Sequence, residues 1–225
     1  MKARLPSRWC RAVRCSFCVL LVAGFSLCSM SEVLERIVAT VNRHAILQSE
    51  WDEAVAFECL MNDRPLQEMT GADRTQTLDR LIDQELIAEQ MSGSSFVPAT
   101  ADQIGARVRE LRQAVPAWKT DDGWRAALAK CGLTEEDAEE RTAVQLNLSR
   151  YLDLRFRPQI HIERRTIEEY YQQKLLPEMR ASGWPDKPFD QVAPKIEQLL
   201  TEQRMSELQD DWVRSLRLQA HIRLR

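Results

Sequence analysis

The sequence predicts a mainly helical fold that carries one small antiparallel sheet. Glycine is scarce, with 7 residues in 225, and a protein built from several sheets needs more glycine for its tight turns. Apolar residues recur at helical spacing along most of the chain, whereas strand-like patterns are confined to its two ends. The chain is long enough for one domain, and its 44% of hydrophobic residues allow a sizeable core.

The sheet is expected to join both ends of the chain. Residues 35–48 contain two β-branched, apolar runs separated by Asn42-Arg43-His44. Asparagine tolerates the left-handed geometry of a tight turn, so we predict a hairpin. Apolar and polar residues alternate over 218–224, which is typical of a half-buried strand. A lone strand leaves its backbone groups unpaired, and hence this strand should pair with the hairpin.

Capping residues and periodicity predict where the helices begin and end. Ser49 is expected to cap the first helix and Asp190 the last, because short polar side chains accept hydrogen bonds from free amides at a helix start. Thr100 and Thr134 mark two further helix starts in the same way. The expected helices cover residues 49–62, 72–91, 100–115, 121–130, 134–156 and 163–180, followed by a long helix from 190 through 216.

The first thirty residues have the pattern of a signal peptide. Five basic residues come first, and the uncharged run 15–31 follows. We therefore predict export to the periplasm and removal of residues 1–30, so that the chain meets the membrane only before cleavage. A lasting anchor would need about 20 apolar residues, which is longer than this run. A lipoprotein cut before Cys28 is a further alternative, although Leu27 is larger than such signals prefer.

The charge of the exported chain disfavours nucleic-acid binding. Removing residues 1–30 takes away five basic residues and no acidic one, which moves the net charge from −3 to −8. Phosphate backbones require clustered lysine and arginine, and the remaining basic stretches are short and interleaved.

Of the six cysteines, only Cys59 and Cys131 lie well beyond the signal peptide. In an oxidising compartment they can pair as a disulfide. Both lie on apolar helical faces, which favours two buried thiols instead.

No catalytic or metal-binding motif is recognisable in the sequence. The three histidines are expected at a hairpin tip (His44), in an extended link (His161) and on the polar side of the terminal strand (His221), and none belongs to a nucleophile motif. The two isolated cysteines do not have zinc-site spacing, and no glycine-rich phosphate loop occurs. We therefore predict no catalytic residue, no metal and no cofactor.

Large apolar and soft side chains occur where a tight core does not require them. Such groups adapt to many partner shapes, which suits promiscuous binding, although ordinary packing is the alternative for each of them. The candidate binding residues are Phe57, Met61, Leu66, Met69, Trp118, Trp124 and Trp184.

Two segments resemble the SurA-type family of periplasmic chaperones. Residues 36–50, with the Val41-Asn42 hairpin, and the helix at 81–87 are similar to its N-terminal domain. Residues 189–225 are similar to its C-terminal helix and strand. The resemblance covers nearly all of 33–225. It implies one chaperone domain that binds extended, aromatic-rich segments of unfolded outer-membrane proteins, with the terminal strand completing the N-terminal fold.

The chain departs from that family in its middle. One or two parvulin prolyl-isomerase domains of about 90 residues separate the two modules in SurA-type chaperones. Here an N-terminal module (31–162) and a C-terminal helix and strand (189–225) are separated only by 163–188, which has no histidine and no Gly-Gly turn. Isomerase activity is therefore not expected from the resemblance.

The leading hypothesis is an ATP-independent periplasmic chaperone that binds unfolded outer-membrane or secreted polypeptides through an apolar groove. One alternative is an enzyme, a divergent parvulin-type peptidyl-prolyl isomerase or foldase. Another is a dedicated scaffold protein in envelope assembly. The sequence leaves the oligomeric state and the client open.

Overall fold

The computed structural model describes residues 35–225, and the signal peptide predicted for residues 1–30 lies outside them. The described elements are β1 (Ile37–Val41), β2 (His44–Leu47), α1 (Gln48–Met61), α2 (Gly71–Ser92), α3 (Ala101–Ala114), α4 (Asp121–Cys131), α5 (Glu135–Phe156), α6 (Arg164–Tyr170), α7 (Leu176–Ala181), α8 (Phe189–Gln219) and β3 (Ile222–Leu224). A π-helical stretch, Tyr171–Leu175, joins α6 to α7. The mainly helical fold with a small sheet is therefore confirmed.

The sheet joins the two ends of the described chain, as predicted. Its strand order is β2-β1-β3, and both pairings are antiparallel. Val41 faces His44 on one side and Ile222 on the other. Asn42 takes a φ of 53° at the hairpin turn, and its Oδ1 accepts a hydrogen bond of 2.9 Å from the His221 amide. The turn residue thus fastens the hairpin to the returning strand.

The terminal strand is shorter than the alternating pattern predicts. Helix α8 continues to Gln219, so the strand begins at Ile222 and the predicted start at residue 218 is wrong. Leu216 packs against the interior of the sheet, and Arg217 Nη2 donates to the Asp79 carbonyl oxygen at 2.8 Å. These contacts hold residues 216–217 in helical geometry. The helix therefore extends into the segment in which apolar and polar residues alternate.

Two of the predicted helix starts are confirmed and two are wrong. Thr100 and Thr134 each cap a helix with their side-chain oxygen. Helix α1 begins at Gln48 without a cap from Ser49, because the Glu50 carboxylate already accepts the Leu47 amide at 2.7 Å. Helix α8 begins at Phe189, so Asp190 lies in its first turn, where an acidic side chain still complements the helix dipole.

The core is divided among four clusters. The sheet cluster joins β1 and β2 to α2 through Val38, Ala39, Val41, Ile46, Ile82 and Leu86. The tryptophan cluster joins α1, α3, α4 and the start of α5 through Ala56, Phe57, Cys59, Leu60, Val108, Trp118, Trp124, Leu128, Cys131, Leu133 and Ala138.

The other two clusters involve the long helix α8. The tyrosine cluster contains Ile87, Leu148 and Tyr151, with Trp212 of α8 packed against it. The satellite cluster lies where α6 and α7 fold back on the start of α8, and contains Ile167, Tyr171, Leu176, Val192 and Ile196. The short segment 163–188 therefore packs through a small core of its own, which involves α6, the π-helical stretch, α7 and the start of α8.

Candidate functional site

An apolar groove runs between the hairpin, α2 and α5, where the sheet and tyrosine clusters meet. It encloses about 310 Å³, within the range of pockets that hold small ligands or single side chains. Its apolar lining consists of Ile46, Leu81, Ala88, Met91, Val144 and Leu148. Val144 is 39% exposed although it is apolar, so this wall of the groove is open to solvent.

Hydrogen bonds within the protein already satisfy much of the groove's polar rim. Arg141 Nε donates to Glu53 Oε1 at 2.7 Å, and its Nη2 donates to the Glu50 carbonyl oxygen at 2.6 Å. Asn147 Oδ1 accepts the Ala99 amide at 2.7 Å. Because these groups are engaged, an occupant need not supply matching polar atoms to them. The groove can therefore accept apolar side chains with little demand on their orientation.

One carboxylate at the groove is poorly solvated. Glu85 is partly buried, and this burial raises the pKa of its carboxyl group above the ordinary value. His44 Nδ1 lies 3.5 Å from Glu85 Oε1 and partly opposes the rise. A raised folded-state pKa means that ionisation of Glu85 opposes folding, and that this cost appears as pH rises through the folded-state pKa.

Three of the sequence-predicted binding residues are core residues. Phe57 is 3% exposed, and Trp118 and Trp124 are each 4% exposed, all within the tryptophan cluster. The two indoles pack edge to face with their centroids 5.6 Å apart. The structure thus places these three residues in the packed core and not in the groove, and the two indoles meet because only a short segment separates them.

The other predicted residues remain at least partly at the surface. Met61, the last residue of α1, is 39% exposed, and Leu66, in the 3₁₀ turn that follows, is 36% exposed. Met69 packs partly against the tryptophan cluster. Trp184 is 67% exposed in the loop before α8. None of the seven predicted residues lines the groove between the hairpin, α2 and α5.

The sequence pattern does not single out the groove-lining residues. Leu81 recurs at helical spacing in the predicted helix 72–91, and Val144 and Leu148 lie in the predicted helix 134–156. A signal for the groove was present, since Leu81, Ala88 and Met91 form a second stripe beside the buried Ile82 and Leu86. One packing partner does not cover an apolar surface of this width on a helix, so part of the surface stays open.

Within residues 35–225, no group of three or more histidine, cysteine or acidic side chains is arranged to hold a metal ion. No helix in the same range is long and apolar enough to cross a membrane. Cys59 and Cys131 are both free and buried, in agreement with the interpretation that the sequence favoured.

No protein-family model matches the chain, and a search of the curated proteins finds no match either.

Proposed function

We propose that the protein is an ATP-independent chaperone, exported to the periplasm, that holds apolar segments of unfolded outer-membrane or secreted polypeptides. The observation that carries this proposal is the solvent-open apolar groove between the hairpin, α2 and α5. Apolar side chains that line an open groove are unfavourably exposed to water. Binding of a client side chain that covers them is therefore favourable.

The groove favours loose binding over recognition of one sequence. Arg141 and Asn147 at its rim are already hydrogen-bonded to other parts of the protein, so the free energy of binding comes mainly from the apolar lining, which is non-directional. Met91 adds a flexible, polarizable side chain that fits occupants of different shape. An unfolded client loses conformational entropy at every residue that becomes fixed, so weak contacts at several places are expected.

The resemblance to SurA-type chaperones supports the same proposal. The resemblance lies in residues 36–50 and 189–225. These segments form the sheet and the long helix, which support the groove. Holding a client needs no reacting group, and the absence of recognisable catalytic motifs in the sequence is consistent with that. The partners proposed here are unfolded chains, with the membrane met only through residues 1–30 before their removal.

Aggregation of an unfolded outer-membrane barrel tests the proposal. The barrel is diluted from urea into increasing concentrations of this protein, and light scattering is followed. We expect suppression, and we expect Val144→Asp to require about tenfold more protein, because a carboxylate on the groove wall must be desolvated by an apolar occupant. Circular dichroism and the melting temperature establish that the variant is folded.

Leu154→Asp is the matched control. Leu154 lies on the same helix, is 65% exposed and does not line the groove, so its replacement adds the same charge elsewhere. If the protein fails to slow aggregation, or if both variants behave as the unaltered protein does, the groove is not the client site.

The two alternatives lead to different measurements. A clear increase in the isomerisation rate of a proline peptide would establish an enzyme and contradict a holding function. Photo-crosslinking from position 144 in cells separates many clients from one fixed partner, and a single crosslinked product would favour the scaffold. Fractionation of cells with N-terminal sequencing of the purified protein tests export and the removal of residues 1–30.

A further inference from the structure

The two cysteines of the described chain lie together in the core. Cys59 is on α1 and Cys131 is the last residue of α4, and they are 0% and 2% exposed within the tryptophan cluster. Helices α1 and α4 pack directly, and the Cys131 thiol lies 4.0 Å from the carbonyl oxygen of Arg64, whose amide donates to the Cys59 carbonyl oxygen. The only two thiols of residues 35–225 thus lie in one cluster, beside the same backbone segment.

The backbone on both sides of the pair is fixed. The Arg64 amide donates to the Cys59 carbonyl oxygen at 3.0 Å, and Lys130 Nζ donates to Asp63 Oδ1 at 3.1 Å. Gly132 ends α4 in the left-handed region with a φ of 76°, directly after Cys131. These contacts hold the two cysteine positions near each other without any covalent link, and nearness of the two backbone segments is what a disulfide requires.

We propose that Cys59 and Cys131 form a disulfide when the chain folds in an oxidising compartment, joining α1 to the end of α4. The oxidant is a small disulfide such as oxidised glutathione, or a protein disulfide of the same chemistry. One cysteine thiolate attacks the oxidant and releases one thiolate, giving a mixed disulfide. The second cysteine thiolate then displaces the other half of the oxidant. The two cysteines lose two protons and two electrons in all, and the oxidant is reduced to two thiols.

The bond should form during folding and then resist reduction. Burial raises the pKa of both thiols, that of Cys131 to about 11, so few reactive thiolates exist in the folded protein at neutral pH. Exchange with an external thiol therefore requires opening of the tryptophan cluster. The bond crosslinks residues 60–130 into one loop, which restricts the unfolded chain and stabilises the fold against it.

Refolding in a redox buffer tests this proposal. The whole chain is unfolded in urea with a reductant and refolded with either glutathione disulfide or dithiothreitol, and non-reduced peptides are then mapped by mass spectrometry. We expect a peptide pair that contains Cys59 and Cys131, about 2 Da lighter than the two free peptides together. The melting temperature of the oxidised protein should exceed that of the reduced protein by on the order of 10 °C. Peptide mapping separates this bond from any that involves Cys10, Cys15, Cys18 or Cys28.

Cys59→Ala and Cys131→Ala should each abolish the difference in melting temperature between the two buffers. Dithiothreitol should reduce the oxidised, unaltered protein in urea much faster than under native conditions. Recovery of both cysteines as free thiols after oxidative refolding would overturn the proposal, whether or not either variant folds. So would a crosslink found only between separate chains. The outcome is independent of client binding, since no client is present.

Discussion

The contact between Trp118 and Trp124 depends on a residue with no side chain. Gly123 lies in the first turn of α4, and its amide donates to Thr120 Oγ1 at 3.1 Å. A Cβ added at Gly123 would lie 1.9 Å from the Ala117 carbonyl oxygen, which is backbone and cannot turn aside. Glycine is therefore required here for close approach, and this approach places both indoles in the core.

Gly123→Ala is expected to lower the free energy of unfolding by about 3 kcal/mol, because the added methyl group overlaps backbone that is part of the core. Thermal or urea unfolding, followed by tryptophan fluorescence, measures the loss. Gly71→Ala is the matched control. Gly71 is the first residue of α2 and has open space around its Cα, so alanine there should be neutral or stabilise by up to about 1 kcal/mol. Equal effects of the two substitutions would show that the close approach at Gly123 has no energetic weight.

The sequence draws attention to Trp118 and Trp124 but does not predict that they are buried. The segment between them is polar and contains a glycine, which is typical of a loop, so both indoles are expected at the surface. A 3₁₀ turn at Pro116–Trp118 runs almost directly into α4, so the segment is too short for the rings to diverge. The distance between two side chains across such a turn depends on a backbone geometry that composition does not reveal.

Helix starts are the best-defined local features of the fold. Thr70, Thr100, Thr120 and Thr134 each accept an amide of the first turn with their hydroxyl oxygen. In α2 and α5 an aspartate returns the interaction by accepting the threonine amide, at 2.9 and 2.8 Å. These starts follow from sequence because a capping box is formed by residues three positions apart. Helix α1 follows this rule only in part: Glu50 accepts the amide of Leu47, three residues earlier, but the Ser49 amide donates to Glu35, which lies 14 residues before it.

The aspartates of α2 and α5 should make stability fall in acid. Hydrogen bonds from the Thr70 and Thr134 amides hold the pKa values of Asp73 and Asp137 below their usual range. A carboxyl group with a lowered folded-state pKa stabilises the fold above its unfolded-state pKa, about 3.9, and this stability is lost as pH falls through the folded-state value. The double variant Asp73→Asn, Asp137→Asn should therefore lose less stability than the unaltered protein between about pH 5 and pH 2.

Urea midpoints across that range provide the measurement. The control is the pair Asp210→Asn and Glu139→Gln, which removes two exposed carboxylates that cap no helix. Its acid dependence should follow that of the unaltered protein. A double capping variant that loses stability as steeply as the control would show that these two hydrogen bonds do not govern the acid limb.

The whole molecule is organised around the return of the chain to its own beginning. Helix α8 has 31 residues and is therefore about 46 Å long, which takes it from the satellite cluster to the sheet. Near its end Trp212 packs edge to face on Phe156 at 5.5 Å, and the Arg155 guanidinium lies 4.4 Å from the indole centroid. Beyond these contacts β3 reaches β1, and Arg217 pairs with Asp79 and Asp83 of α2.

Ile222→Ala tests how much this closure contributes. Ile222 is partly buried against the sheet cluster beside Val41, so removing three carbons should cost about 2 kcal/mol of unfolding free energy. Leu224→Ala is the control on the same strand, because Leu224 is 68% exposed and its loss should change stability by no more than about 0.5 kcal/mol. Chemical unfolding gives both values. Similar losses at the two positions would mean that the strand is held by its backbone alone.

At the scale of the whole chain, the sequence was sufficient to predict the fold class and the pairing of its ends. An isolated strand must find a partner, and residues 35–48 offered the only one. An apolar groove is predicted from the sequence but its position is not, because the groove lies at the seam of two clusters and depends on how α2, α5 and the hairpin are spaced. Periodicity indicates which face of a helix is apolar, but it does not indicate how much of that face a neighbour covers.

The position of β3 also determines when folding can finish. Whether the chain emerges from a ribosome or, as proposed, through an export channel, β1 emerges well before residues 222–224 do. During that interval, one side of β1 has no partner from its own chain. An unpaired strand edge is available to any other extended polypeptide nearby. Until its last residues arrive, this protein is therefore itself an incomplete β-structure, with the same exposed edge as the chains that it is proposed to hold.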